Sequence, residues 1–171
     1  FKEANPDVNR KIDHINTFTK QTILELRDTI WAMNKGEISF EDLKSRISNF
    51  ISNATKFTDS ITFDFSIDKK VNQQHSFSSL EGINLYRVVQ EAVNNAIKHA
   101  EADKIEVNIN PSDKKEYRFR IAIQDNGKGM QKPDNSLGNG LQNMKNRISE
   151  IGGTLEFHSK KEEGTSVIFY I

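Results

Sequence analysis

A polar stripe within a mostly apolar helical segment is the first place in the sequence where chemistry could occur. Glu91, Asn95 and His99 are spaced four residues apart, so they project from one face of a helix, with Lys98 beside them. An amide oxygen suits Mg²⁺, which takes few protein ligands beside its waters and phosphate oxygens, and the lysine and histidine could contact phosphate. A helix rim that simply faces solvent would give the same pattern.

A second candidate is the segment 125–130, in which a carboxylate precedes two glycines. Asp125 can accept a hydrogen bond from an exocyclic amine such as that of adenine. Gly127 and Gly129 permit a positive φ and a close approach of the backbone to a ligand. An Asn-Gly pair is also the favoured turn of a β-hairpin, but a hairpin needs a partner strand immediately afterwards, and residues 128–136 do not supply one.

A third candidate is a glycine pair at the start of a predicted helix. Gly138 and Gly140 precede Leu141, the first apolar residue of that helix. Backbone N–H groups at a helix start, reached through glycine, form a site for an anion such as phosphate. The pair is not the dinucleotide-binding fingerprint, because no strand precedes it and Asn143 stands at the third glycine position. A simple joint between loop and helix has the same sequence.

Composition excludes several other functions. The 171 residues carry 24 lysines and arginines against 24 aspartates and glutamates, so the basic excess typical of nucleic-acid binding is absent. No apolar run approaches the roughly 20 residues of a membrane span, and the absence of cysteine excludes disulfides, cysteine-zinc sites and cysteine nucleophiles. We therefore expect no nucleic-acid partner, no direct membrane contact by this chain, and a cytoplasmic location.

The three candidates have to be positioned by the elements around them. Apolar residues three and four apart predict a long helix before Gly36, and strict alternation of apolar and polar residues predicts strands. The predicted order continues with helix 40–56, strand 61–67, polar loop 75–79, helix 80–100, strands 104–110 and 117–124, helix 141–151, and strands 154–159 and 165–171.

This order of elements predicts the fold class. Short turns between neighbouring strands indicate mostly antiparallel pairing, with the helices gathered on one face. The prediction is an α/β (α+β) two-layer sandwich, in which a mixed, mostly antiparallel sheet is covered on one face by helices and preceded by a long N-terminal helix.

Taken together and in this order, the motifs resemble the ATP-binding catalytic domain of sensor histidine kinases, within the superfamily of gyrase, heat-shock chaperone and mismatch-repair ATPases. The short lid between Met130 and Leu137 is similar to that of the nitrate/nitrite-sensor subfamily. The segments that carry the resemblance are 85–100, which resembles the family's N-box, 125–130 and 138–141, which resemble its two glycine boxes, and 164–166, which resembles its terminal Gly-Thr element.

The resemblance implies a role for each matching residue. Asn95 would ligate Mg²⁺, and Glu91 would orient or deprotonate the phosphoryl acceptor. Lys98 and His99 would face the phosphates, Asp125 the adenine amine, and Thr165 a water beside that aspartate. The implied ATP-binding residues are Asn95, Lys98, His99, Asp125, Gly127, Gly129, Met130, Gly138, Gly140, Leu141 and Thr165, and the implied catalytic residues are Glu91 and Asn95.

The N-terminal part completes the expectation. Residues 25–33 resemble the second helix of the family's dimerisation and phosphoacceptor hairpin, which predicts a boundary between a partial hairpin, 1–36, and the catalytic domain, 37–171. The acceptor histidine is expected on a helix absent from this chain, because His14 is followed by Ile15 and not by an acid.

The function expected from the resemblance is phosphoryl transfer from Mg-ATP to that histidine, for relay to an aspartate of a response regulator. The full-length protein would form a homodimer through the hairpin. Two alternatives stay open at this point: an ATPase or serine kinase of the same superfamily, and a degenerate nucleotide-binding interaction module.

Overall fold

The computed structural model describes residues 6–33, 35–56, 58, 60–129 and 139–171. Residue contacts divide the chain into two compact units, Phe1–Gly36 and Glu37–Ile171. The first unit contains helix α1 (Pro6–Met33). The second contains β1 (Glu37–Ser39), α2 (Phe40–Lys56), β2 (Thr62–Ile67), β3 (Ser76–Ser78), α3 (Ser79–Asn95) with a π-helical turn (Ala96–Ala100), β4 (Lys104–Pro111), β5 (Phe119–Asp125), α4 (Asn139–Glu150), β6 (Thr154–Ser159) and β7 (Thr165–Tyr170).

Helix α1 confirms the long N-terminal helix that the apolar spacing predicts. Many of its apolar side chains are nevertheless exposed to solvent, and Phe18 is the most exposed of them at 68%. Among the residues that the structure describes, no helix is both long enough and apolar enough to cross a bilayer. Among the α1 residues whose side chains are described, the large exposed apolar ones are Val8, Ile12, Ile15, Phe18, Ile23, Leu26 and Ile30.

The main sheet has five strands in the order β2-β4-β5-β7-β6. Only the β2–β4 pair among these is parallel, and the other three pairs are antiparallel. Helices α2 and α3 meet one face of this sheet, since Leu43, Ile47, Leu85 and Val89 line the same interior space as Phe169. Helix α4 packs against α3 and β6. The predicted mixed, mostly antiparallel two-layer sandwich is confirmed.

The prediction of a polar loop at 75–79 is wrong in part. Strand β3 lies within this segment and pairs antiparallel with β1, so that Ile38 lies opposite Phe77, and both side chains are buried. Each strand contributes only one apolar residue, which leaves too short an alternation for sequence analysis to detect. Ser78 is the N-cap of the next helix and forms a reciprocal capping box with Glu81.

The prediction of one continuous α-helix over 80–100 also needs correction. Regular α-helix ends at Asn95, and Ala96–Ala100 form a π-helical turn that is followed by Glu101 at a φ of 54°. Hydrogen bonds in a π-helix span five residues and not four. Side chains beyond Asn95 are therefore rotated away from the stripe that four-residue spacing predicts for His99.

Candidate functional site

Asp125, the last residue of β5, is held in a fixed position by two backbone donors. Its Oδ1 accepts the N–H of Gly127 at 3.0 Å and the N–H of Thr165, from the start of β7, at 3.2 Å. Burial raises the pKa of Asp125 above its ordinary value of 3.8, and the two N–H donors act in the opposite direction. The result is a half-buried carboxylate whose second oxygen is not used by either donor.

The loop after β5 passes so close to other backbone segments that only glycine fits. A Cβ at Gly127 would overlap the carbonyl oxygen of Ala100, which accepts the N–H of Lys128 at 2.7 Å. Gly129 has a φ of +58°, and a Cβ there would overlap the carbonyl oxygen of Lys160. These glycines join the loop to the π-helical turn and to the β6–β7 turn, so they do not form the tip of a hairpin.

Asn126 ties the same loop to the start of β4, a role that sequence analysis missed. Its Oδ1 accepts the N–H of Asp103 at 3.2 Å and of Lys104 at 3.0 Å, and its Nδ2 donates to Asp103 Oδ1 at 2.6 Å. The signal in the sequence was the asparagine directly after the strand, since Asn side chains often bond neighbouring backbone groups. In the sequence analysis this asparagine is included in segment 125–130 without being assigned a role.

Two residues of the predicted polar stripe of α3, Glu91 and Asn95, are joined by a hydrogen bond. Asn95 Nδ2 donates to Glu91 Oε1 at 3.1 Å, and both residues are partly buried. The start of α4 lies against this pair, because a Cβ at Gly140 would overlap Glu91 Oε1 and lie 3.5 Å from Asn95 Nδ2. The structure thus brings together three predicted site residues that come from two motifs.

Two other predicted contacts of the phosphates lie on the exposed end of the helix. Lys98 and His99 belong to the π-helical turn and are exposed. Lys128 is joined to the end of this turn by an ion pair with Glu101, with 2.6 Å between Nζ and Oε1.

The remaining predicted site residues divide into two groups. Leu141 directs a buried side chain into the core, so a contact with ligand would have to come from its backbone. Met130 and Gly138 lie outside the described residues.

The donor set fits a metal ion that arrives with phosphates better than one held by protein alone. No group of three histidine, aspartate or glutamate side chains within the described ranges could hold a metal ion. Because Asn95 donates through Nδ2 to Glu91, its Oδ1 is directed away from that carboxylate. A single amide oxygen completed by phosphate oxygens and waters is a typical environment for Mg²⁺.

The sequence pattern of one known family covers this whole arrangement. The family described as histidine kinase-, DNA gyrase B-, and HSP90-like ATPase matches residues 81–171, which are more than half of the chain. The chain belongs to this ATPase family. Membership implies that the domain binds ATP, and the match includes every described residue of the candidate site, from Glu91 to Thr165.

Curated relatives of this ATPase-family chain are sensor histidine kinases. The signal transduction histidine-protein kinase/phosphatase DegS of Brevibacillus brevis is 28% identical over 163 residues, which are 95% of this chain and 40% of DegS. The sensor histidine kinase LiaS of Bacillus subtilis is 38% identical over 84 residues, 48% of this chain and 22% of LiaS. The chain spans less than half the length of these relatives.

Solved structures show the same fold. The mycobacterial sensor histidine kinase MprB superposes with a TM-score of 0.60 at 18% identity, covering 79% of this chain and 95% of the MprB chain. At 18% sequence identity, this structural similarity shows a shared fold and nothing more. With the family match and the relatives, it confirms the predicted resemblance to the ATP-binding catalytic domain of sensor histidine kinases.

The contact between α4 and the Glu91–Asn95 pair predicts the effect of Gly140→Ala. Alanine near a helix start gains intrinsic helix stability, but its Cβ displaces Glu91 and breaks the bond to Asn95, so these two effects of about 1 kcal/mol should nearly cancel in stability. The side-chain NH₂ signals of Asn95 in NMR spectra should shift in the ligand-free protein. Gly36→Ala, where an added Cβ meets nothing within 4 Å, should leave them unchanged. Unchanged signals in Gly140→Ala would show that the two elements are not in contact.

The raised pKa of Asp125 predicts a pH dependence of stability. The folded state holds the proton more tightly than the unfolded state, so the free energy of unfolding falls as pH rises from the ordinary value of 3.8 through the raised value. Asp125→Asn keeps an oxygen that can accept from Gly127 and Thr165 but does not titrate. The difference in unfolding free energy, parent minus variant, should decrease across this window and be constant above it. A difference that increases with pH would show that folding lowers the pKa of Asp125 and does not raise it.

Proposed function

We propose that this chain is the ATP-binding catalytic part of a sensor histidine kinase. The observation that carries the proposal is the meeting of the Glu91–Asn95 pair with the glycine start of α4, together with the carboxylate of Asp125 held by two backbone donors. The family match and the sensor histidine kinases among the relatives support the same function.

The half-buried carboxylate is suited to the adenine end of the ligand. The backbone donors of Gly127 and Thr165 occupy Oδ1 of Asp125, which fixes the direction of the second oxygen toward a donor such as the adenine amine. Thr165 also lies beside Ser159, with 2.9 Å between the hydroxyl oxygens, so a bridging water near Asp125 would find polar partners there.

The polar end of α3 is suited to the phosphates. Mg²⁺, when bound, would neutralise phosphate charge, and the Asn95 amide oxygen is the protein group offered to it. Lys98 and His99, exposed on the π-helical turn, would add charge and donors to the phosphate oxygens. Met130, Gly138 and the backbone of Leu141 are the remaining groups that the resemblance assigns to ATP binding.

In the proposed reaction, the γ-phosphoryl group moves from ATP to a ring nitrogen of a histidine on another helix. The bond between the γ-phosphorus and the bridging β-oxygen breaks as the N–P bond forms, and ADP leaves. Glu91 would orient the imidazole or accept its proton, and its hydrogen bond from Asn95 joins it to the residue proposed to hold Mg²⁺.

The N-terminal unit is proposed to be part of the hairpin through which the full-length protein forms a homodimer. Its helix exposes a row of large apolar side chains, among them Phe18 and Leu26, which is a surface suited to association with another helix. Relay of the phosphoryl group to an aspartate of a response regulator would follow. The relatives give no support to an ATPase or serine kinase, or to a degenerate binding module.

The adenine contact is tested by Asp125→Asn in calorimetric titrations with ATP and ITP, whose base lacks the exocyclic amine. The parent should prefer ATP, and the variant should lose roughly ten- to hundredfold in ATP affinity, because a hydrogen bond to a charged group contributes about 1.5–3 kcal/mol. Asp113→Asn, an exposed aspartate elsewhere on the domain, should bind like the parent. If the parent and Asp125→Asn bind ATP with equal affinity, Asp125 does not contact the nucleotide.

The magnesium role of Asn95 is tested by removing the metal. Asn95→Ala should weaken ATP binding in the presence of Mg²⁺ and have little effect with a chelator present, because its amide oxygen acts through the ion. The neighbouring Asn94→Ala serves as the matched control and should show no metal-dependent loss. A loss of equal size with and without Mg²⁺ would assign Asn95 to a structural role in holding Glu91.

A further inference from the structure

A buried asparagine connects helices α3 and α4 at the end of the pair that is remote from Glu91 and Asn95. Asn84, near the start of α3, has only 2% of its surface exposed. Its Nδ2 donates to Glu150 Oε2 at 2.9 Å, and its Oδ1 accepts from Arg147 Nη1 at 3.2 Å. Both partners lie near the end of α4 and are themselves exposed, so this buried amide is satisfied entirely by the rim of another helix.

The contacts at the two ends of the helix pair show that α3 and α4 run antiparallel. Asn84 meets Arg147, and seven residues further along α3, Glu91 meets Gly140, which is seven residues earlier in α4. Seven residues are about two turns, or about 10 Å, of each helix. The position of Arg147 along α3 therefore determines where the start of α4 lies relative to Glu91.

The apolar contacts of α4 do not determine this position by themselves. Leu141, Met144 and Ile148 are all buried and recur at spacings of three and four, one helical turn apart. A shift of α4 by one turn toward its end would put Leu141 in the place of Met144 and Met144 in the place of Ile148, which are apolar side chains of similar size. Polar groups inside an apolar helix interface are known to select one register over others, because every other register leaves them without partners.

We propose that Asn84 is a positioning residue that sets the axial register of α4 and so holds Gly140 against the Glu91–Asn95 pair. The role in nucleotide binding rests on the proposed function, whereas the role in helix register does not. Replacing Asn84 by leucine removes the register constraint without leaving a buried partner unsatisfied, since Arg147 and Glu150 can return to water.

The register is tested directly by distances between spin labels. The chain contains no cysteine, so labels can be placed on Leu80→Cys and Ser149→Cys, two exposed positions near the Asn84 contact. Asn84→Leu should add a second distance population, displaced by about one helical turn of 5.4 Å along α4. Asn146→Leu is the matched control, because Asn146 is an exposed asparagine of the same helix. It should keep the single population of the parent.

Affinity and stability separate positioning from a merely structural role. If the competent register falls to roughly a tenth of the population, the Kd for Mg-ATP rises roughly tenfold. The unfolding midpoint in urea should stay the same or rise, since an apolar side chain replaces a buried amide. A variant that loses stability and affinity together, with one distance population, would overturn the proposal.

A donor–acceptor exchange keeps the proposal testable where Asn84→Leu does not fold. Asn84→Asp loses the donor to Glu150 and places two carboxylates together, so it should shift the distance and weaken binding. Glu150→Gln added to it supplies the missing donor and should restore both. Failure of this rescue, or parent-like distances in Asn84→Asp, would overturn the register role. If the parent itself does not bind Mg-ATP, the proposed function fails, and the distances still decide the register.

Discussion

Three backbone segments pack together next to Asp125: the residues that follow β5, the π-helical turn and the β6–β7 turn. At their points of contact there is no room for a Cβ atom. The end of β5 approaches the π-helical turn at Gly127, and the β6–β7 turn approaches both Gly129 and Asp125, where Gly164 fits only because it lacks a Cβ. The hydrogen bonds that fix Asp125 depend on this close approach, since its donors come from Gly127 and from Thr165 beside Gly164. The glycines of the motif therefore allow three segments of the protein's own backbone to pack against one another.

The π-helical turn links this backbone junction to the polar pair on α3. Asn95 is the last α-helical residue, and Ala100, at the end of the π-helical turn, accepts the N–H of Lys128 in the loop. A change in the length of this turn would move the helix and the loop relative to each other. The two ends of the proposed nucleotide site, at Asn95 and at Asp125, are thus held at a fixed separation by a few residues of backbone.

Much of the fold could be predicted from the sequence, because the apolar patterns of the long strands and helices each have one clear period. The β1–β3 ladder could not, because three-residue strands offer no period to detect. The π-helical turn could not either, since nothing in Ala96–Ala100 departs from ordinary helical composition. The candidate site residues could also be predicted, because the N-box, the two glycine boxes and the Gly-Thr element occur in the order typical of the family. The tie of Asn126 to Asp103 and Lys104, and that of Asn84 to α4, depend on contacts between distant segments that no local pattern encodes.

The strand order has a consequence for how the domain folds. The central strand β5 pairs with β4, its neighbour in sequence, and with β7, which begins 40 residues after β5 ends, at the Asp125–Thr165 pair. Pairing of segments so far apart carries a loop-closure cost and tends to form late. The carboxylate gains its second donor only once the C-terminal strand has been added to the sheet. Partly folded chains that lack β7 would keep only one of the two donors to Asp125, so the ligand proposed for this carboxylate would stabilise the complete domain more than its intermediates.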